Sequence, residues 1–390
     1  MKKEIYLDNA ATTKPLESVV EAVTHAMCES YGNPSSLHKK GMQAENIVKN
    51  SSECLAKILG CAKEEIIYTS GGTESNNLAI LGTAYAYEKT GKRIITTSIE
   101  HASVREVFEY LKNKGFEVIT LEVDERGYIN QTQLEEEVNE ETILVSIMHV
   151  NNEIGTIQNL EKIGQIIKSK NSRTVFHVDA IQSFSKIPIT IKKSKIDLLS
   201  ISGHKFYAPK GIGVLYKSKG TRIINILHGG GQQKSLRSGT ENVPGIAGIH
   251  TASEYVYKNF TDLTAHYREC KTYLFKQISA KMDKIYLNGP TLEEGAPHIL
   301  NIAFEDVRAE VLLHALEQYG VYVSSGSACS SNKVNPKGTL YAIGKKGQEL
   351  DNAIRFSFSH ETTKEDLDEV VSILETQIGL LRKFTLGGKR

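Results

Sequence analysis

Between about residues 60 and 220 the chain repeats one pattern, a short apolar run followed by an amphipathic stretch. EEIIYTS precedes ESNNLAILGTAYAYEK, KRIITTSIE precedes ASVREVFEYLKNKG and TILVSIMHV precedes LEKIGQIIKSK, after which TVFHVDA, IDLLSIS and GIGVLY follow. Apolar runs of this length without polar alternation are strands buried on both faces, and the intervening helices are the crossovers that parallel strands require. The pattern predicts an α/β fold with a mostly parallel central sheet covered by helices. Beyond Pro244 it predicts one long helical stretch through about Lys284, then a strand in HILNIAFED and a helix around Val311 to Tyr319. A strand in AIRFSFS and a terminal helix from Lys364 complete the order. That order describes a second, smaller α+β domain.

Composition narrows the partners. The chain has 390 residues, of which 24% are charged, and a formal net charge of +1. It carries no basic field that would attract nucleic acid or an anionic membrane. MKKEIYLDNAATT lacks the apolar core of a signal peptide, and no apolar run approaches the roughly 20 residues that cross a bilayer. A cytoplasmic protein acting on a small molecule or another protein is expected. The five cysteines, Cys28, Cys54, Cys61, Cys270 and Cys329, form no CxxC pair. Their number and spacing argue against a disulfide framework or a zinc cluster, and no metal site is expected. Cys54 and Cys270 fall in helix-like segments, where a thiol packs as a small apolar group. Cys329 differs, because VSSGSACSSNK surrounds it with serine and glycine that offer it no apolar packing.

In open α/β sheets, ligands bind where the strands end. YTSGGTESNN places Gly71, Gly72 and Thr73 between a strand and a helix, where backbone amides, a hydroxyl and the helix dipole suit a phosphate. TVFHVDAIQS ends its strand on Asp179, an acid that needs a cationic partner if buried. LLSISGHKFYAPKGIG ends on Ser202, Gly203, His204 and Lys205, with the lysine placed to act as an amine nucleophile toward a carbonyl. A phosphate cradle, an acid for a pyridinium nitrogen and a Schiff-base lysine are together the requirements of a pyridoxal phosphate site. SIEHASV adds His101, an imidazole able to stack on a ring, and HVNNEIG adds Asn151 and Asn152, either able to bond a ring hydroxyl.

LDNAATT, YGNPSSLH, SGGTESNN, EHASV, MHVNNEIG, HVDAIQS, SGHKFYAPKGIGVLY, HGGGQQKSLRSGTEN, LNIAF, SSGSACSS and AIRFSFS occur in order along nearly the whole chain. Together they resemble the cysteine desulfurases of the class V aminotransferase group, on the fold-type I scaffold. Cys329 resembles the group with a long catalytic loop. The resemblance implies a large domain over residues 15–257 and a small one over residues 1–14 and 258–390, with the cysteine loop at about 324–338. It implies that Lys205 holds the cofactor covalently, Asp179 pairs with the pyridine nitrogen, and His101 stacks on the ring and assists proton transfer. Asn152 and Gln182 would contact the phenolic oxygen. Gly72, Thr73, Ser202 and His204 would hold the phosphate, with Thr240 reaching it from a neighbouring subunit of a homodimer. Arg355 would clamp the substrate carboxylate with Asn33 and Asn152 nearby, its planar fork suiting a bidentate contact. The implied reaction takes sulfur from L-cysteine onto Cys329 as a persulfide and releases L-alanine. The sulfur would then pass to an acceptor protein, an iron–sulfur scaffold or a tRNA-thiolation enzyme. A selenocysteine lyase or another class V aminotransferase-like enzyme is the alternative: both would share Lys205 and Asp179, and a transaminase would not need Cys329.

Overall fold

A computed structural model describes residues 3–325 and 338–387. A two-residue strand, β1 (Ile5–Tyr6), leads into helices α1 (Glu17–Cys28) and α2 (Lys39–Leu59). The alternating region follows as β2 (Ile66–Thr69), α3 (Gly72–Tyr87), β3 (Arg93–Thr97), α4 (Ala102–Asn113), β4 (Glu117–Leu121) and α5 (Gln131–Glu137). It continues through β5 (Thr142–Met148), α6 (Leu160–Lys170), β6 (Val175–Asp179), β7 (Leu198–Ser202) and β8 (Gly213–Lys217). These strands form one seven-stranded sheet in the order β2-β8-β7-β6-β5-β3-β4. Only β8 runs against the rest, antiparallel to both β7 and β2. Its connection, residues 203–212, is shorter than the dozen or so residues a parallel crossover takes.

The unalternated apolar runs are explained by two apolar layers, one on each face. Ile67, Ile94, Leu144, Val175, Leu198 and Leu215 pack into one layer with Leu78, Val104 and Phe108 of α3 and α4. Their immediate neighbours Ile66, Ile95, Val145, Phe176, Leu199 and Val214 pack into the other with α2, α6 and the helix Val243–Lys258. Because successive side chains of a strand point to opposite faces, most positions must be apolar, and the buried polar ones Ser146, His177 and Ser200 hydrogen-bond one another across β5, β6 and β7. Each fully buried side chain of this size contributes about 1.5–3 kcal/mol.

The remainder comprises α7 (Val243–Lys258), α8 (Phe260–Lys281), β9 (Ile285–Leu287), β10 (Ile299–Phe304), α9 (Ala309–Glu317), β11 (Val321–Tyr322), β12 (Ser324–Ser325), α10 (Thr339–Ala342), β13 (Ala353–Ser357) and α11 (Lys364–Gly387). The single long helix expected after Pro244 is two helices. Asn259 separates them at φ −105° and ψ 16°, and its side-chain amide donates to the Tyr255 carbonyl at 2.8 Å. An asparagine that bonds the backbone in this way competes with helix continuation. A four-stranded antiparallel sheet, β12-β13-β10-β9, forms the smaller layer, and β1 pairs with β11. The N-terminus is therefore stitched to the C-terminal region, and Ala10 donates to Ser357 Oγ at 2.8 Å. The apolar core continues without a break from the large sheet to Ile302, Phe304 and Phe356. Among the described residues, no helix is long and apolar enough to cross a membrane.

One glycine shows how tightly these layers meet. A Cβ on Gly164 of α6 would stand 2.0 Å from the Ser194 carbonyl oxygen, which is backbone and cannot swing aside. Alanine in a helix is favoured over glycine by about 1 kcal/mol, whereas overpacking costs about 1–3 kcal/mol. Gly164→Ala is therefore expected to lower stability by roughly 1–2 kcal/mol in urea unfolding. A more stable variant would show that the 190–195 segment yields freely.

Candidate active site

The parallel strands bring their carboxyl ends to one edge of the sheet, and four of the predicted segments meet there. Asp179 closes β6 and is buried. Its Oδ2 accepts from Asn76 Nδ2 at 2.8 Å and its Oδ1 from the Ile181 amide at 2.9 Å. Burial pushes its carboxyl above the usual value, while these hydrogen bonds and the nearby His101 and Lys205 pull the other way. Among the described residues it makes no ion pair. His101 is the N-cap of α4, with Nδ1 accepting from the Ser103 amide at 3.1 Å. Desolvation lowers its pKa against the pull of Asp179, and the cation of Lys205 lowers it further.

Ser202 closes β7 and is buried, and one tight turn then carries Gly203, His204 and Lys205. Lys205 Nζ donates to the carbonyls of Ala10 and Ala11 at 2.8 and 2.6 Å. Gln182 Nε2 reaches the same Ala10 carbonyl at 2.8 Å, so the N-terminal LDNAATT segment closes over the lysine. His204 lies 3.2 Å from Thr12 Oγ1, and burial lowers it to about 4, keeping it neutral.

Gly72 starts α3, where a Cβ would stand 2.2 Å from Ile181 Cδ1, so a larger residue there would have to displace the end of the Ile181 side chain. Thr73 follows it, exposed in the first turn, where the backbone amides lack helical partners. Asn151 turns its side chain into the protein: Oδ1 accepts from the Glu153 and Ile154 amides, both at 2.9 Å, and Nδ2 donates to the Ile99 carbonyl. Of the two asparagines, Asn152 is therefore the one not committed to shaping the loop.

Arg355, in the middle of β13, is buried. Nη1 donates to the Asn152 carbonyl at 2.8 Å, Nη2 pairs with Asp8 Oδ1 at 2.6 Å, and Nε has no partner among the described residues. Asn33 and Thr240 are exposed, and neither hydrogen-bonds any of these residues. Asn33 Oδ1 accepts instead from the Ser35 amide at 2.9 Å. Cys329 and most of its loop lie outside the described residues.

The structure adds residues that motif reading missed. Asn76, buried one turn into α3, orients Asp179; the acid's need for donors was a signal, but nothing in sequence spacing links positions 76 and 179. Asp8 holds Arg355 across the whole length of the chain. Glu100 is buried beside His101 and accepts from the Met148 amide and Thr97 hydroxyl, both at 2.8 Å. Burial pushes it up to about 8, so it is mostly protonated at neutral pH. Lys186 is buried with its ammonium on the Lys205 carbonyl at 2.7 Å.

Pyridoxal phosphate fits these residues. Asp179 is a buried acid with no ion pair among the described residues, which a pyridinium would supply. The first turn of α3, with Gly72 and Thr73, offers a phosphate backbone amides that lack helical partners, and Lys205 lies at the same edge.

Comparison with known proteins bears on the same site. The family model for Aminotransferase class-V matches residues 5–370. The chain is 42% identical to the cysteine desulfurase IscS of Dictyoglomus turgidum over 99% of its own length and 97% of that protein. Among solved structures it resembles a NifS-like protein with a TM-score of 0.91 and 38% identity, covering 97% of this chain and 100% of that one. It also resembles SspA, solved in complex with cysteine, with a TM-score of 0.79 and 33% identity over 93% of this chain and 100% of that one.

Lys186 gives a test of how this edge is held. Burial lowers its pKa from 10.5 to about 7, and Lys205 adds to the shift. Between these values the unfolded chain binds more protons at this group than the folded one, so its contribution to stability rises with pH from about 7 to 10. Lys186→Met should therefore flatten the rise of the urea midpoint over that range by up to one proton's worth. At pH 7 it should be as stable as the parent or more so, because a buried cation without a carboxylate is removed. Lys271, similarly lowered to about 7, contributes its own slope to both proteins. An unchanged slope together with a loss at pH 7 would show that the contact to Lys205 outweighs the cost of burial.

Proposed function

The chain belongs to the class V aminotransferase family, and from that premise we propose that it is a pyridoxal phosphate-dependent cysteine desulfurase, moving sulfur from L-cysteine to Cys329 and releasing L-alanine. The observation that carries this reading is the meeting of Asp179, His101 and Lys205 at one sheet edge, in a chain related to cysteine desulfurases over nearly all of its length.

Pyridoxal phosphate, when bound, supplies a carbonyl for the substrate amine and an electron sink for the carbon that loses its α-proton. Lys205 would hold the cofactor covalently and, once released, would take that proton and later return it to the same carbon. Asp179, kept from water and oriented by Asn76, would pair with the ring nitrogen. His101 would cover the ring, and Asn152 and Gln182 would serve its phenolic oxygen. Gly72, Thr73, Ser202 and His204 would hold the phosphate. Arg355, fixed by Asp8 and the Asn152 carbonyl, would offer its remaining donors to the substrate carboxylate, with Asn33 assisting in this reading.

Cys329, as a thiolate, attacks the substrate sulfur. The substrate's Cβ–S bond breaks and an S–S bond to Cys329 forms; the electron pair stays on carbon, which is protonated to the methyl of alanine. The sum is Cys329 thiol and L-cysteine giving Cys329 persulfide and L-alanine, so no outside oxidant or reductant is required. The persulfide then passes to an acceptor protein for iron–sulfur assembly or tRNA thiolation.

The active unit in this reading is a homodimer, with Thr240 completing the neighbouring phosphate site. Support comes from the exposed apolar side chains of α1 and the α1–α2 connection: Val20, Met27, Tyr31 and Leu37, the last 99% exposed. Thr240 and Asn33, exposed in the single chain, then find their function in the pair.

Cys329→Ser tests the reading most directly. It should retain L-cysteine binding, seen as a shift of the cofactor spectrum, and lose nearly all alanine and sulfide production. Serine at Cys28, Cys61 or Cys270 should leave turnover within about tenfold, the scale of 1.4 kcal/mol. Undiminished turnover by Cys329→Ser would identify instead a lyase that eliminates sulfur without a protein nucleophile.

Shared sites make a second expectation. Lys205→Ala should lose the borohydride-reducible yellow band, and Lys205→Ala mixed with Thr240→Ala should regain part of the activity, because one hybrid site keeps both native residues. A fully active monomer in light scattering would exclude the shared site.

A further inference from the structure

Away from the strand ends, α2 and α7 lie side by side. Ala44, Ile47 and Val48 of α2 pack on Val243 and Ala247 of α7. At the next turns of this seam the apolar contacts give way to Cys54 from α2 and to His250 and Glu254 from α7. The Cys54 sulfur, a ring nitrogen of His250 and a carboxylate oxygen of Glu254 all lie within 4.8 Å of one another. His250 and Glu254 stand one helical turn apart, with Nε2 and Oε1 separated by 3.4 Å. None of the three takes part in the proposed reaction.

We propose that Cys54, His250 and Glu254 form a binding site for a zinc-class divalent cation, with three protein ligands and a fourth position for water. Sulfur, imidazole nitrogen and carboxylate oxygen are the donors zinc takes, and the thiolate sets the site apart from those suited to magnesium or calcium.

The distances suit a tetrahedron. Ligands held at about 2.0–2.3 Å from a tetrahedral ion lie roughly 3.3–3.5 Å from each other. The His250–Glu254 separation already matches one edge, and side-chain rotation of little more than 1 Å would bring the Cys54 sulfur to the others. The two helices supply a fixed backbone for this, since their apolar seam sets their spacing. The Glu254 side chain is 64% exposed and that of His250 24%, so an ion can enter from the Glu254 side.

Binding would replace the thiol proton of Cys54 with the metal and release that proton to solvent. Without the ion, burial and the neighbouring Glu254 push the Cys54 thiol up to about 11, which leaves it a poor nucleophile and no rival to Cys329. The bound ion would tie α2 to α7 and so stiffen the helices beneath the large sheet.

The test uses holoenzyme carrying Cys329→Ser, so that the proposed catalytic thiol cannot capture the metal. In equilibrium dialysis against micromolar zinc, with bound metal counted by mass spectrometry, about one equivalent per chain is expected. Adding Cys54→Ser or His250→Ala should weaken binding by tenfold or more, Glu254→Gln by several-fold, and Cys61→Ser not at all. Cobalt should give visible d–d bands of tetrahedral intensity, beyond the cofactor's own absorption, that Cys54→Ser abolishes. Circular dichroism and the cofactor spectrum should stay unchanged in each variant, which separates loss of metal from loss of fold. No saturable zinc binding below about 100 μM, or an equivalent retained in both Cys54→Ser and His250→Ala, overturns the proposal. Either result would leave the desulfurase reading untouched.

Discussion

A carboxylate buried at the end of β6, without an ion pair among the described residues, is the constraint around which the rest of this edge is arranged. Left alone, Asp179 would take up a proton, because a charge removed from water costs several kcal/mol. The protein answers with donors: the Asn76 amide from α3 and the Ile181 backbone from the following turn, with His101 and Lys205 close enough to act on its charge. Each comes from a different element, so the acid is satisfied only when the large sheet and its helices are assembled. Among the described residues no cation pairs with it directly, which suits the one a bound pyridine ring would bring in the proposed reaction.

A second link ties this edge to the smaller sheet. Arg355 sits in β13, takes Asp8 from the N-terminal segment, and donates to the carbonyl of Asn152 beyond β5. Three stretches far apart in sequence are thereby drawn together at one guanidinium. The same N-terminal segment supplies the Ala10 and Ala11 carbonyls to Lys205, so the lysine and the arginine are positioned by a shared strap. In the proposed reaction this sets the distance between the groups that meet the substrate's amine and its carboxylate.

The placement of charge follows the same economy. Glu100 and His204, pushed by burial toward their neutral forms, line the surroundings without adding charge, while Lys186 stands under Lys205 with a pKa lowered to about 7. Uncharged neighbours in a low-dielectric setting leave the Asp179 and Lys205 charges less screened than water would. The Cys54, His250 and Glu254 cluster on the α2–α7 seam takes no part in this arrangement.

The alternation of apolar runs and helices determined the α/β class on its own, because strands buried on both faces must be apolar at most positions, as Ile66 and Ile67 or Leu198 and Leu199 are. It did not reveal β4 or β9. These are edge strands with exposed positions such as Glu117 and Tyr286, where burial imposes no such pattern. The break at Asn259 was hidden too, since both helices beside it are amphipathic and only the local hydrogen bond ends the first. For the site, strand-end residues such as Asp179, Ser202 and Lys205 could be picked out, because an open parallel sheet gathers them at one edge. Asn76, Asp8 and Lys186 could not, and neither could the approach of Cys54 to His250 and Glu254. Their parts depend on which side chains face one another after the layers have packed, and packing brings together positions that no spacing along the chain connects.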